Sequence, residues 1–170
     1  KQGERVLEPI ITCSNTTLDS IRNHAFLTEP QKQAIVLAAT SSDRVNLIQG
    51  IAGSGKTTML KEVKSLATAA GFQLLGVANT ASAKNNLQNK TAYSFKKPGI
   101  PSRTLASFLN ETSKMLAISP ELASNIYNKN TMFILDEASL VSVRDMFRFL
   151  DLVEQLDARA LIVGDYRQLP

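Results

Sequence analysis

The sequence has one cysteine, one histidine and no tryptophan. A single cysteine excludes a disulfide framework within the chain and a cysteine-based zinc site, and it fits a reducing, cytoplasmic compartment. A single histidine, His24, excludes a multi-histidine metal site and argues against a Ser-His-Asp hydrolase. Cys13 and His24 read as structural or surface residues. Aromatics are only 6% of the chain, which leaves little material for stacking on bases. No apolar run approaches the ~20 residues of a membrane span, and no signal peptide is read at the start, so no membrane partner is expected. Internal repeats and low-complexity tracts are absent as well.

What remains is ordinary globular composition, 170 residues with 44% hydrophobic and 20% charged. This length suits one domain, with room for an extension, and buries a core without staples. A net charge of +4 is compatible with nucleic acid without pointing to it. The chain starts at Lys1 and stops at Pro170, and we read it as a piece of a larger protein.

Hydrophobic periodicity alternates strands with helices. Val6–Ile11 reads as a short strand. Asn15, Thr16 and Thr17 would cap a helix to about Ala25, with Leu18 and Ile21 on one face. Thr28-Glu29-Pro30-Gln31 is a capping box opening a helix to about Thr40, with Ala34, Ile35, Leu37 and Ala38 apolar. Strands follow at 44–49, 72–78, 131–136 and 158–164. Helices are expected over 56–70, 81–88, 104–112, 120–127 and 143–156. Leu60, Val63, Ala67 and Ala70 would share one face of the first of these, and Met146, Phe149, Leu150 and Val153 one face of the last. Ser142 would cap the last helix, and Gly71 would stop the first. Such alternation implies a parallel sheet covered on both faces. The stretch 89–103, with two prolines, a glycine and four basic residues, reads as a surface loop insertion.

The strongest signal is Gly50-Ile51-Ala52-Gly53-Ser54-Gly55-Lys56-Thr57, the P-loop pattern, placed after a strand and opening a helix. Gly50, Gly53 and Gly55, with Ser54, would let backbone N–H groups wrap a phosphate. The helix N-terminus favours the anion. Lys56 would reach the β- and γ-phosphates, Thr57 would hold Mg²⁺ through its hydroxyl, and Thr58 extends the loop's GKTT ending. ATP and Mg²⁺ are the expected cofactors. About 80 residues on, the apolar strand Phe133-Ile134-Leu135 ends in Asp136-Glu137. Asp136 would hold Mg²⁺ through water, and Glu137 would act as general base on the attacking water. Gly164-Asp165-Tyr166-Arg167-Gln168 follows another apolar strand. There Gln168 would sit near the γ-phosphate, supported by Asp165.

Together GIAGSGKTT, LDEAS and GDYRQLP resemble the first three motifs of superfamily 1 helicases of the RecD-like branch. Leu27–Gln31, Ser42-Asp43-Arg44 before Gln49-Gly50, and Thr104–Leu109 are similar to the helicase region of the TraI-type conjugative relaxase–helicases. The resemblance covers about residues 27–170, leaving 1–26 as an extension or linker. It implies an α/β fold, a RecA-like P-loop NTPase domain, as the first half of an ATP-driven DNA helicase. The implied partners are single-stranded DNA, a second RecA-like domain of the same parent chain, and the conjugation or type IV secretion machinery. Gln31 then contacts adenine, beside its role in the capping box. Thr80 and Ser82, in a segment where the family has Pro-Thr and this chain has Asn79-Thr80, touch the strand backbone. Thr104 and Ser107 form a second strand-facing segment; the alternative is an N-cap and a helix-surface serine. Lys84, Lys90, Lys96, Lys97 and Arg103 would track the strand, with Tyr93 and Phe95 stacking on a base. The alternative there is a solvated loop with its aromatics tucked down.

Two other readings compete. A vestigial helicase-like module for DNA binding or secretion-signal recognition would have decayed phosphate residues, yet Lys56, Thr57, Asp136, Glu137 and Gln168 are all present. A GTPase would carry an N-K-x-D base-reading motif, which the sequence lacks, and a nucleotide kinase has no need of GDYRQLP.

Overall fold

Short apolar strands separated by helices can bury both faces only by pairing in parallel, and these do. The computed structural model describes residues 8–9, 15–50, 55–94 and 98–165. Strands β1 (Val45–Gln49), β2 (Gln73–Ala78), β3 (Ser102–Thr104), β4 (Thr131–Asp136) and β5 (Arg159–Gly164) form one sheet in the order β1-β5-β4-β2-β3. Every pairing is parallel. The helices are α1 (Asn15–Arg22), α2 (Glu29–Thr40), α3 (Lys56–Ala69), α4 (Ala81–Lys90), α5 (Leu105–Ile118), α6 (Pro120–Ile126) and α7 (Val143–Gln155), with a 3₁₀ turn at Ala138–Leu140.

The strand period of two splits the core into two layers. Met132 and Ile134 of β4, with Leu161 and Val163 of β5, pack against α1 to α4 through Ile35, Leu60, Val63 and Leu87. Phe133 and Leu135, with Ala160 and Ile162, pack against α5 to α7 through Phe108, Leu109, Phe149 and Val153. The chain runs outward from β1 to β3 with its helices on one face. It returns through β4 and β5 with its helices on the other. Phe133 is the hub of the second layer, with ring centroids of Phe108 at 4.9 Å, Tyr127 at 5.3 Å and Phe149 at 6.3 Å.

Several local expectations are corrected by packing. Three-residue β3 and the 3₁₀ turn are too short for a periodicity signal. β3 claims Ser102 and Arg103, and α4 claims Asn89 and Lys90, from the stretch expected to be loop. α1 ends at Arg22 rather than near Ala25, because His24 N–H turns back onto the Ile21 carbonyl at 3.2 Å. α5 continues to Ile118, six residues past Thr112. Leu37 is 43% exposed, and Ala70 lies exposed beyond the end of α3. On α7 the third buried residue is Leu152, while Met146 and Leu150 are half-buried. Helices cover both faces of the central strands, as expected, and the edge strand differs. At edge strand β1, Leu47 is 67% exposed, because among the described residues only the face carrying Asn46 and Ile48 is buried. The expected strand over Val6–Ile11, and Cys13, lie outside the described residues apart from Glu8 and Pro9. No helix among the described residues is long and apolar enough to cross a membrane.

Phe133 is fully buried among three rings. We expect Phe133→Ala to cost about 3–5 kcal/mol, the range for an aromatic truncated in a core. Urea denaturation of the two chains, compared at equal slope, checks this.

Candidate functional site

In a parallel sheet all strands end on the same side, so residues far apart in sequence meet along one carboxyl edge. Gln49 of β1 is level with Gly164 of β5, and Ala78 of β2 is level with both Asp136 of β4 and Thr104 of β3. The Gly50 N–H donates to the Gly164 carbonyl at 3.0 Å, tying the start of the P-loop to the end of β5. The start of the P-loop, the Asp136–Glu137 pair and the Thr80 and Thr104 segments therefore lie on this edge or on a helix that starts from it.

The described part of the P-loop is built for close approach. Gly55, the N-cap of α3, has φ of +77°, a left-handed conformation that glycine adopts freely. Lys56 Nζ donates to the Gly50 carbonyl at 3.2 Å, so the ammonium reaches back to the end of β1. Thr57 is half-buried on the first turn of α3, whereas Thr58 is exposed. Gln31 bonds in two directions: its Oε1 accepts from the Thr28 N–H at 2.9 Å, and its Nε2 donates to the Gly55 carbonyl at 3.3 Å. The capping-box role is thus present, and the same amide clamps α2 to the N-terminus of α3. Gly53, Ser54 and Gln168 lie outside the described residues, as do Phe95, Lys96 and Lys97.

Asp136 ends β4, and its Oδ1 accepts from the Glu137 N–H at 2.9 Å. Glu137 has φ of +54°, a left-handed conformation that favours glycine and costs a residue with a Cβ about 1–3 kcal/mol, strain of the kind that clusters at functional sites. Both carboxylates line a cavity of about 410 Å³ together with Gly55, Lys56 and Thr57. The phosphate-loop residues and the carboxylates are thus brought to one concavity. Its far wall is α4, through Ala83, Asn86, Leu87 and Lys90. Sequence reasoning missed Asn86 there and assigned Lys90 to a strand track. The signal that would have found both is their spacing of four on one helix face. Asp165 is buried at the end of β5.

This donor set fits Mg²⁺ carried by a nucleotide. One hydroxyl and two carboxylates are too few for an all-protein cage, and Mg²⁺ is ordinarily held by one or two carboxylates plus substrate phosphates. Among the described residues no cluster of three or more His, Cys, Asp or Glu forms a separate metal site.

The four residues read as strand-facing come together in two helix starts side by side. Thr80 caps α4, its Oγ1 accepting from the Ala83 N–H at 3.1 Å, and Ser82 is exposed on the first turn. Thr104 caps α5, accepting from the Ser107 N–H at 3.3 Å. Ser107 Oγ donates to Glu111 Oε1 at 2.6 Å, and Arg103 is ion-paired with the same carboxylate. The N-cap and surface-serine alternative therefore holds for the unliganded groups. Glu111 is held below the usual carboxylate range, first by the Ser107 hydrogen bond and then by Arg103. Tyr93 is turned onto α3, its hydroxyl donating to Glu62 at 3.4 Å and its ring under Lys61 at 5.3 Å. The residue is still 49% exposed. Burial, then Glu62, pushes the Tyr93 phenol up. The His24 ring lies edge-on to that of Phe26.

A protein-family model described as an AAA domain matches residues 26–170. The chain is 36% identical over 149 residues to the probable conjugal transfer protein TraA of Sinorhizobium fredii, covering 86% of this chain and 12% of that protein. It is 34% identical over 157 residues to the conjugal transfer protein TraA of Rhizobium radiobacter, covering 92% and 13%. To the multifunctional conjugation protein TraI of Escherichia coli K12 it is 32% identical over 149 residues, covering 84% and 8%. The chain thus spans between 8% and 13% of the length of these relatives. The resemblance drawn from the three motifs is borne out by these similarities.

A Cβ on Gly55 would stand 2.0 Å from Gln31 Nε2. Alanine there meets both a left-handed backbone, costing roughly 1–2 kcal/mol, and the Gln31 amide. We expect Gly55→Ala to lower stability by more than the backbone cost alone. Adding Gln31→Ala should recover only the steric part, which a double-mutant cycle by chemical denaturation resolves.

Proposed function

We propose that this chain, which belongs to the AAA domain family, is the first motor domain of an ATP-dependent DNA helicase that translocates on a single strand. Its parent would be a conjugative relaxase–helicase that unwinds plasmid DNA for transfer. The observation that carries this reading is the shared cavity, which gathers Lys56 and Thr57 from one strand–helix junction with Asp136 and Glu137 from another. Family membership supports nucleotide binding. Similarity to TraA and TraI over most of this chain supports the conjugative setting.

Within this reading residues 27–170 are the RecA-like domain and residues 1–26 an extension or linker. Gly50, Gly53, Ser54, Gly55 and Thr58 surround the phosphates, and Gln31 reads adenine. Lys56 leaves the Gly50 carbonyl to pair with the β- and γ-phosphates. Thr57 and Asp136 hold Mg²⁺, which neutralises phosphate charge when bound. Glu137 takes the proton of the attacking water, and Gln168 senses the γ-phosphate. Thr80, Ser82, Thr104 and Ser107 contact the backbone of single-stranded DNA, which carries no sequence information. A second RecA-like domain supplies an arginine finger, a group worth on the order of 10³–10⁵ in rate. The isolated chain therefore binds Mg·ATP and turns it over very slowly. The parent works in the cytoplasm alongside conjugation and type IV secretion machinery.

Titration with a fluorescent ATP analogue and Mg²⁺ tests the phosphate site. Saturable binding is expected for the chain and is lost in Lys56→Ala. In the full parent protein, Glu137→Gln retains that binding and loses about 10²–10⁴ in hydrolysis, the worth of a positioned base. Absent binding by a folded chain would favour the vestigial-module reading. Strand-stimulated turnover by the isolated chain above about 1 per second would contradict the need for an arginine finger.

Glu111 occupies both Arg103 and Ser107, groups a DNA phosphate would also use. Its carboxyl, ionised at neutral pH like any exposed glutamate and held lower still by Ser107 and Arg103, would repel the strand. Glu111→Gln is expected to tighten binding of an oligo-dT strand several-fold at low salt, with the gain shrinking as salt rises. Fluorescence anisotropy over a salt series measures it.

A further inference from the structure

We infer that Asn79 is a positioning residue that transmits strand binding at the start of α4 to the catalytic turn at Glu137. The inference rests on the helicase reading and deepens it. Asn79 is the first residue past β2 and immediately precedes Thr80, the N-cap of α4. Its side-chain Nδ2 donates to the Leu140 carbonyl at 3.1 Å, 61 residues away in sequence. The N–H of Leu140 in turn donates to the Glu137 carbonyl at 3.0 Å. One peptide-bonded residue, Leu140, is therefore gripped by Glu137 through its N–H and by Asn79 through its C=O.

Glu137 is the member of this relay that can respond. Its left-handed backbone, φ of +54° and ψ of 37°, is a conformation that persists only where the surroundings hold it. The strands themselves cannot carry the signal, because β2 and β4 are locked in register over six residue pairs from Gln73↔Thr131 to Ala78↔Asp136. The first residues free of that register are Asn79 on one side and Glu137 on the other. A strand phosphate drawn to Thr80 and Ser82 would move the start of α4, and with it Asn79, against the turn that orients the base. The same helix lines the cavity that holds Glu137, through Ala83 and Asn86.

The test is the ATPase of the full-length parent protein with and without oligo-dT, comparing wild type, Asn79→Ala and Asn79→Gln. The readout is the ratio of strand-stimulated to basal kcat, with KM for ATP, strand affinity and Tm measured alongside. Asn79→Ala is expected to lower the ratio by about threefold or more, the scale of one hydrogen bond, while KM, affinity and Tm hold. Asn79→Gln keeps the amide donor and is expected to recover part of the ratio. An unchanged ratio in Asn79→Ala overturns the inference. So does a fall matched by an equal loss of strand affinity, which would make Asn79 a strand contact alone. A wild-type parent that hydrolyses ATP without any response to the strand defeats the helicase reading itself, an outcome distinct from the other two.

Discussion

β4 is paired on both sides. Its Leu135 is level with Ile162 of β5, and its Asp136 is level with Ala78 of β2. That double pairing fixes where Asp136 and Glu137 emerge, and the rest of the site is arranged around it. β5 stands between β4 and the P-loop strand, so Gly164 and Asp165 fill the gap between the carboxylates and the phosphate loop. β2 stands on the other side, so the starts of α4 and α5 lie next to the carboxylates. A slip of one residue in β4 would send Phe133 and Leu135 to the face of Met132 and Ile134 and empty both core layers at once. Burial on both faces therefore holds the chemistry in register.

The two edges of the sheet do different work. At the amino edge, polar groups are used for anchoring. Arg44 donates to the Ala158 carbonyl at 3.0 Å and pairs with Asp157 at 2.9 Å. Arg159, 5% exposed, donates to the Ser41 carbonyl at 3.2 Å and to that of Glu8, and lies 5.5 Å over the Phe72 ring. Burial, then the neighbouring Arg44, pulls its guanidinium pKa down, with Asp157 opposing. Left-handed backbone at a residue other than glycine occurs at both edges, at Asp157 (φ +53°) and at Glu137 (φ +54°), and at the carboxyl edge it borders the cavity that Glu137 lines. Such strain survives because the fully buried β4 below it does not yield.

The parts of this architecture legible in the sequence were those with a long period or a fixed spacing. β4 emerged with its ends in place, since TMFILD is apolar throughout and closed by a charge. Gln31 was legible as a cap because Thr and Gln stand three apart. Its second bond, to Gly55, joins residues 24 apart, and no local pattern announces it. Short β3 was hidden inside a Pro- and Gly-containing stretch, since three residues cannot display alternation. Lys90 was misplaced because a charge run along the sequence does not say which residues face a cavity. Glu111 was passed over entirely; it reads as an exposed helix carboxylate, and only the fold brings Arg103 back to it.

At rest, the groups assigned to ligands are already engaged. Lys56 donates to Gly50, Thr80 and Thr104 accept from their own helices, Ser107 and Arg103 are held by Glu111, and both ends of the Gln31 amide are used. A ligand here must exchange hydrogen bonds rather than add them, and an exchange between neutral partners gains little. The favourable exchange is the one that replaces a neutral carbonyl by a charged phosphate, as at Lys56, whereas at Arg103 a phosphate would compete with the Glu111 carboxylate. Affinity at this edge is then dominated by charge. Such an edge would respond to phosphate more than to base identity, which suits the motor function proposed above.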